Sequence, residues 1–446
     1  MDLPKDFIEY TSKLMGKGLW DKLENGLSEE APVSIRLNPF KCKEDAQIPL
    51  QDSIVPWCSS TGRYLKKRPN FTFDPLLHAG VYYVQEAASM FLDTVLRKYV
   101  KEPVLMLDLC AAPGGKSTCA RAALPEGSLL FSNEPMRTRA NILAENMQKF
   151  GHEDVIVTNN YPHDYKKSKF AFDVILTDVP CSGEGMFRKD PNAINEWSLQ
   201  NVDKCRNLQR EIVSDIWPCL KPDGILIYST CTFNAHEDEE NVAWIINELG
   251  ADLLPIEDKD MHHFYPGITR SEGLFMAVLR KTGEDANTGI KCKNVKIKSA
   301  KVDRSWIKDP DGMDFIQQDE KIIAIPKPWS AMYNEANRCL NILSAGIMIT
   351  DNKHLIPNQS MALSRKLNKE AFSVVELTYE QAISYLRTEA ITLSSETPKG
   401  ITLLTYHGTP IGFAKNLGSR ANNLYPQEWK IKSTHIPSEN DVIINN

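Results

Sequence analysis

A chain of 446 residues is too long for one compact core, so two or three domains are expected. With 42% hydrophobic and 25% charged residues and a net charge of −6, it has the composition of a soluble globular protein, and its acidity argues against an indiscriminate nucleic-acid binder without excluding local basic patches. A secretory signal, a membrane span, a disulfide framework and a zinc site are not expected: MDLPKDFIEY opens without a basic–apolar leader, no apolar run spans a bilayer, and there is neither a CxxC pair nor HExxH. A monomeric protein of the reducing cytoplasm, with no bound metal, is the default reading.

Residues 1–75 mix helical and strand-like pieces and carry the basic cluster RYLKKRPNF at 63–71, which reads as an N-terminal lobe suited to RNA phosphates. From 76 to 283, short apolar runs alternate with helical stretches such as MRTRANILAENMQKF. The runs are VLMLDL (104–109), SLLFSN (128–133), VIVTN (155–159), DVILTD (173–178), ILIYST (225–230) and LFMAVLR (274–280). Such alternation predicts a largely parallel sheet covered by helices on both faces. A polar, lysine-rich connector spans 284–320. Residues 321–446 read as an α+β module, with a helix over 376–387 and a hairpin over 400–416 turning at His407-Gly408. That module is expected to guide RNA rather than to belong to the catalytic core.

The first run of the sheet ends in LDLCAAPGGKST (107–118). Gly115-Lys116-Ser117 matches the end of a P-loop, but Cys110 stands where its first glycine is required, and GxGxxG is absent as well. What remains is a turn of small residues, Ala111-Ala112-Pro113-Gly114-Gly115, against which a ligand can lie at a helix N-terminus. Glu134, ending the second run, suits the two hydroxyls of a ribose. No phosphate is demanded, so a nucleoside cofactor such as S-adenosyl-L-methionine fits better than a dinucleotide.

Two cysteines follow strands: Cys181 in FDVILTDVPCSG and Cys231 in GILIYSTCT. Asp178-Val179-Pro180-Cys181 stands where amino-methyltransferases carry Asp/Asn-Pro-Pro-aromatic. Those enzymes use the lone pair of an exocyclic nitrogen, which carbon 5 of a pyrimidine lacks. That carbon becomes nucleophilic once a thiolate has added to carbon 6, so a cysteine is the residue the chemistry needs. Asp178 is open to two roles, a cofactor contact or a hydrogen bond to the ring nitrogen of cytosine. Lys116 is equally open, as a loop cation or an active-site contact. Behind Cys231, Asn234 and Glu237 have the spacing of a capping box, and His236-Glu237-Asp238-Glu239 reads as an acidic first helical turn that favours the helix dipole. Val242, Ile245, Ile246 and Leu249 mark that helix's buried face.

Together CAAPGGKS, NEP, DVPCSGEGMFRKDP and YSTCTFNAHEDEENV resemble the Nop/Sun family of RNA cytosine-5 methyltransferases, with SIRLNP and YVQEAASM similar to its N-terminal elements. LIPNQSMAL, YLRTEAI, GFAKN and NNLYP are similar to the RNA-binding extension of bacterial members that act on small-subunit ribosomal RNA. The resemblance implies a Rossmann-like S-adenosyl-L-methionine-dependent core with a C-terminal PUA-like module. It implies Cys231 as the nucleophile and Cys181 as the residue that helps release product. Cofactor contacts would fall on Cys110, Ala111, Ala112, Pro113, Gly114, Gly115, Lys116, Glu134 and Asp178. VTNNYPHD departs from the family's aspartate after the third strand; Asn160 takes the aligned place. The implied partner is RNA, namely 16S ribosomal RNA or the small ribosomal subunit. The same chemistry on transfer RNA, or an inactive RNA-binding assembly factor, are the rival readings.

Overall fold

The computed structural model describes residues 1–283, 300–351, 356–433 and 441–446. Two short helices, Lys5–Met15 and Lys17–Ser28, are separated by Gly16, whose φ of +73° only glycine adopts without strain. Their apolar faces converge on Phe7, Trp20, Leu23 and Leu27, which pack with Phe187, Trp197 and Phe233 from the middle of the chain. A four-stranded antiparallel sheet follows: β1 (Val33–Leu37), β2 (Gln51–Ile54), β3 (Gly62–Leu65) and β4 (Tyr82–Val84), in the order β2-β3-β1-β4.

The central sheet is built from β5 (Leu105–Asp108), β6 (Leu129–Asn133), β7 (Val155–Thr158), β8 (Phe172–Asp178), β9 (Leu220–Thr230), β10 (Ala251–Leu254), β11 (Met261–Phe264) and β12 (Leu274–Lys281). Strands β7-β6-β5-β8-β9 run parallel in that spatial order; β12 follows antiparallel to β9, and β10 and β11 pair antiparallel with β12 at the far side. Every residue of β5, β6 and β7 is buried, which is why these segments read as unbroken apolar runs rather than alternating ones. Odd and even positions still serve different faces: Leu105, Leu107 and Leu109 join one core cluster and Met106 the other. The expected Rossmann-like α/β core is therefore what the chain forms.

The C-terminal part departs from the expected separate module. Its strands are β13 (Met313–Gln318), β14 (Lys321–Pro326), β15 (Ile342–Ala345), β16 (Ile347–Thr350), β17 (Ser373–Glu376), β18 (Gly400–Tyr406), β19 (Thr409–Asn416) and β20 (Ala421–Asn423). β13, β14 and β16 form one sheet and β17–β20 another, but β15 pairs antiparallel with β7 and extends the catalytic sheet. The cause is an open edge: β7 would otherwise leave a row of unpaired backbone groups. Of the connector foreseen at 284–320, residues 284–299 lie outside the described residues, while Met313–Gln318 is a paired strand. The hairpin turns at His407-Gly408 as expected, with φ of 50° and 70°. No helix among the described residues is long and apolar enough to cross a membrane.

Candidate active site

The order of the parallel strands reverses at β5, between β6 and β8, and clefts in such sheets open beyond the carboxyl ends at that point. There the turn after β5 is bolted to its neighbours. Leu109 N donates to Leu176 O (2.9 Å), Ala111 N to Asn133 O (2.8 Å), and the Asn133 amide to Leu109 O (3.0 Å). Gly114 then takes φ +117°, and a Cβ there would lie 3.4 Å from both Asn146 and Leu143. Its carbonyl accepts from Thr118 Oγ1 (2.8 Å), which in turn accepts from the buried Arg36 guanidinium (2.6 Å). SIRLNP thus braces the turn from the N-terminal sheet.

A cleft of about 400 Å³ opens over this turn. Cys110, Ala111, Ala112, Pro113, Gly115, Lys116, Asp178 and Cys231 all line it. Lys116 Nζ reaches Asp178 Oδ2 at 2.9 Å, and Ser229 Oγ donates to Asp178 Oδ1 at 2.7 Å, so both oxygens of Asp178 are engaged. Burial pulls the Lys116 ammonium down, but the adjoining Asp178 outweighs it and the net shift is upward. Lys116 is therefore a cation in the wall of the cleft. Burial, reinforced by Asp108, Asp178 and Glu134, pushes the Cys110 thiol far up, leaving it neutral.

The strand ladder continues past β8 and β9 through Val179 N to Ser229 O (3.1 Å), and it delivers the two remaining cysteines side by side. Cys231 N donates to Cys181 Sγ at 3.3 Å. Cys231 lines the cleft, and Cys181 is adjacent to it but not among the lining residues. The hydrogen bond with the Cys231 thiol, then burial, then the charge at Cys231 and at Glu237, hold the Cys181 thiol well above its ordinary value.

Three buried acids clasp the cysteine loops, and they correct the expected acidic helix turn. Glu237 and Asp238 are fully buried, residues 235–238 form turns, and the helix begins at Glu239. Glu237 N does donate to Asn234 Oδ1 (2.9 Å), but this closes a turn ahead of the helix, whose N-cap is Asp238, so the expected capping box does not form. The Glu237 carboxylate, however, turns inward to accept from Ser182 N (3.0 Å), Gln209 (2.6 Å) and Asn234 (2.9 Å). Asp238 accepts from Thr230 and Thr232 on either side of Cys231 (2.5 and 3.0 Å). Glu184, from the Cys181 loop, accepts from Phe233 N (2.5 Å) and Asn234 (3.0 Å) in the Cys231 loop.

Glu134 and Asn160 sit at the ends of β6 and β7 and are not among the residues lining the cleft with Cys231. Glu134 is buried, with Oε1 accepting from Met136 N (3.0 Å) and Oε2 3.6 Å from Arg139. The Asn160 side-chain oxygen accepts from Asn341 N (3.0 Å), so the C-terminal segment holds it. YVQEAASM contributes Tyr83, Val84, Gln85, Glu86 and Ser89 to the lining of the cleft, residues that the motif's position alone had not marked.

Comparison with known proteins gives the family of the chain. The sequence model of 16S rRNA methyltransferase RsmB/F matches residues 95–280, that of the N-terminal domain of 16S rRNA methyltransferase RsmF matches 3–87, and that of the RsmF PUA domain matches 372–431. Ribosomal RNA small subunit methyltransferase F of Aliivibrio fischeri is 30% identical over 84% of this chain and 85% of its own length. That of Aliivibrio salmonicida is 29% identical over 96% of this chain and 97% of its own. Among solved structures, a methyltransferase homolog from Pyrococcus horikoshii shares the fold, with a TM-score of 0.54 and 24% identity over 62% of this chain and 95% of that one. The chain belongs to the ribosomal RNA small subunit methyltransferase F family.

Proposed function

We propose that the protein uses S-adenosyl-L-methionine to methylate carbon 5 of cytosine in 16S ribosomal RNA, through covalent addition of Cys231 to the base. The observation that carries this reading is the pair of thiols at the ends of parallel neighbours β8 and β9, Cys231 N lying 3.3 Å from Cys181 Sγ, with Cys231 on the cleft. The names of the relatives support the choice of ribosomal RNA.

The cofactor's fit rests on the turn Cys110–Lys116, whose small residues leave backbone facing the cleft, and on the buried acceptor Glu134 at the end of β6. When bound, S-adenosyl-L-methionine supplies an electrophilic methyl group. Cys231 adds as thiolate to carbon 6, moving the pair of the 5,6 double bond to carbon 5, which takes the methyl. Release requires loss of the carbon 5 proton. Those C–H electrons rebuild the double bond as the carbon 6–sulfur bond breaks and returns its pair to Cys231. Cys181 suits the removal of that proton. The hydrogen bond with Cys231, burial, and the charges at Cys231 and Glu237 favour the protonated form of Cys181. Bonding of Cys231 to carbon 6 removes the Cys231 contributions, and Cys181 must then release its own proton to solvent before it takes the one from carbon 5. Lys116 lies on the same wall, placed to offset the negative charge that addition drives into the ring.

RNA reaches the cleft past the basic cluster. Lys66, Lys67, Arg68 and Arg270 line a second cleft of about 440 Å³. Arg188 and Ser271 border that cleft while Lys189 and Glu272 border the first, so two short segments, 188–189 and 271–272, lie between them.

The test is a denaturing gel of enzyme with 16S RNA and cofactor, alongside bisulfite sequencing of the RNA. Cys181→Ala should leave a protein–RNA band that survives boiling in detergent, while Cys231→Ala and the double variant should give no band and no methylation. Normal methylation by Cys231→Ala would remove covalent catalysis; a band in Cys231→Ala but none in Cys181→Ala would reverse the roles.

A further inference from the structure

A third pocket, of about 210 Å³, lies away from the cysteines, where three distant parts of the chain meet. Its wall takes Lys41 and Lys43 from beyond β1, Lys308, Arg365 and Lys369 from the C-terminal part, and the hairpin turn at Gly408. Five of its lining side chains are basic and none is acidic. Two of the five are committed to the fold. Arg365 pairs with Glu126 (2.7 Å) and Glu153 (2.8 Å), and Lys41 donates to the carbonyls of Ala79 (2.8 Å) and Lys149 (2.5 Å).

The other three, Lys43, Lys308 and Lys369, are exposed and have no ion-pair partner among the described residues. Lys369 Nζ is drawn toward the pocket by the Gly408 carbonyl (2.9 Å). Burial, then repulsion from Lys308 and Lys43, lowers its ammonium, against a smaller opposing effect of Glu376. That acid accepts from Thr405 Oγ1 (2.6 Å) and is not among the lining residues. Three like charges gathered from separate segments cost energy unless an anion joins them.

A cavity of about 230 Å³ shares Tyr83 and Val84 with the catalytic cleft and is also lined by Lys149, whose carbonyl accepts from Lys41 Nζ of the basic pocket (2.5 Å). Its lining thus touches residues of both sites, which a polymeric anion can use and a free anion cannot. We propose that Lys43, Lys308 and Lys369 seat a backbone phosphate of the RNA substrate at a distance from the reacting cytosine. This rests on the reading of RNA as substrate.

The test removes the three charges together as Lys43→Ser, Lys308→Ser and Lys369→Ser, and compares an equal loss at Lys167, Lys204 and Lys259, exposed lysines of the catalytic part that do not line the pocket. The pocket variant should raise the KM for RNA about tenfold, with turnover at saturating RNA retained. It should also flatten the slope of log affinity against log salt by about 0.7–0.9, the value for one phosphate contact. The control variant should stay near wild type. Equal RNA affinity and slope in the two variants would overturn the proposal while wild-type methylation upheld the substrate reading. A wild-type protein that neither bound nor methylated RNA would overturn both. Inorganic phosphate that raises the melting temperature of wild type but not of the pocket variant, with RNA affinity unchanged, would make this a free-anion site and overturn the assignment to RNA.

Discussion

Glu184 carries a hydrogen-bonding duty that its charge makes costly. It is fully buried, and through Phe233 N and Asn234 it ties the Cys181 loop to the Cys231 loop, while Trp197 Nε1 donates to it from the other side (2.9 Å). Burial pushes its carboxyl up to about 7, against partial relief from those donors. Because the folded pKa lies above the unfolded one, the folded state holds the proton more tightly. The associated stability is fully present below about pH 4.5 and is lost as pH rises through about 7. Glu184→Gln cannot ionise and should escape this loss. Relative to wild type, the variant should gain at most about 3 kcal/mol between pH 5 and 8, read from urea unfolding at each pH. A difference that stays flat across that range would sink the assignment. Cys181, Cys231 and Asp178 stood out in the sequence because each ends or follows an apolar run, and the fold brings Asp178 and Cys231 to one cleft with Cys181 beside Cys231. Glu184, Glu237 and Asp238 did not, because an acid in a string such as HEDE reads as solvated until a fold shows what encloses it. The Asn234–Glu237 spacing was the one cue, and it pointed to a helix cap rather than to a clasp between loops.

At the scale of elements, the two cysteine loops meet through Gly185. Its N donates to Cys231 O at 2.7 Å, and a Cβ on it would lie 2.7 Å from Gly273 O and 2.9 Å from Cys231 O. All of the obstructing atoms are backbone, so nothing can rotate away. Gly185→Ala should displace the Cys231 loop, at a cost of about 1–3 kcal/mol in stability. It should slow methylation by on the order of 100-fold, since a shift of about 1 Å suffices for that. Affinity for S-adenosyl-L-methionine should fall less than turnover, because Gly185 lines the same cleft as the turn at Cys110–Lys116 but its hydrogen bond runs to Cys231 O. Wild-type turnover in this variant would mean that the loops do not need this contact. The strands that bear the loops were readable because full burial leaves continuous apolar runs with clear ends. Strand β9 was foreseen from residue 225 but begins at Leu220, since LKPDG looks like a turn and pairs only through its neighbour β8.

At the scale of the molecule, the C-terminal part is built into the rest. β15 closes the edge of β7, with Asn159 N donating to Asn341 O (2.9 Å) and Gly346 N to Val155 O (3.0 Å). Ile35, Leu37 and Tyr82 of the N-terminal sheet share one apolar cluster with Leu377, Tyr385 and Ile411. The Tyr379 hydroxyl donates to Phe73 O at 3.1 Å, and Gln47 bridges to Asn445. Such pairings join residues some 300 positions apart. Periodicity reports only on neighbours along the chain, so the sequence showed a change of pattern near 320 and nothing of the shared core. A fragment ending at Gly283 should therefore lose more than RNA affinity. It should expose the β7 edge and half of an apolar cluster, melt well below the full chain, and bind a hydrophobic dye that the full chain excludes. Hydrogen exchange gives the sharper reading, because it reports residue by residue. The amide of Asn159 should lose its protection in the fragment, whereas that of Leu109, which donates to Leu176 O in the middle of the sheet, should keep most of its own. A fragment with the full chain's melting temperature and an Asn159 amide as slow as before would show that the catalytic sheet stands without β15.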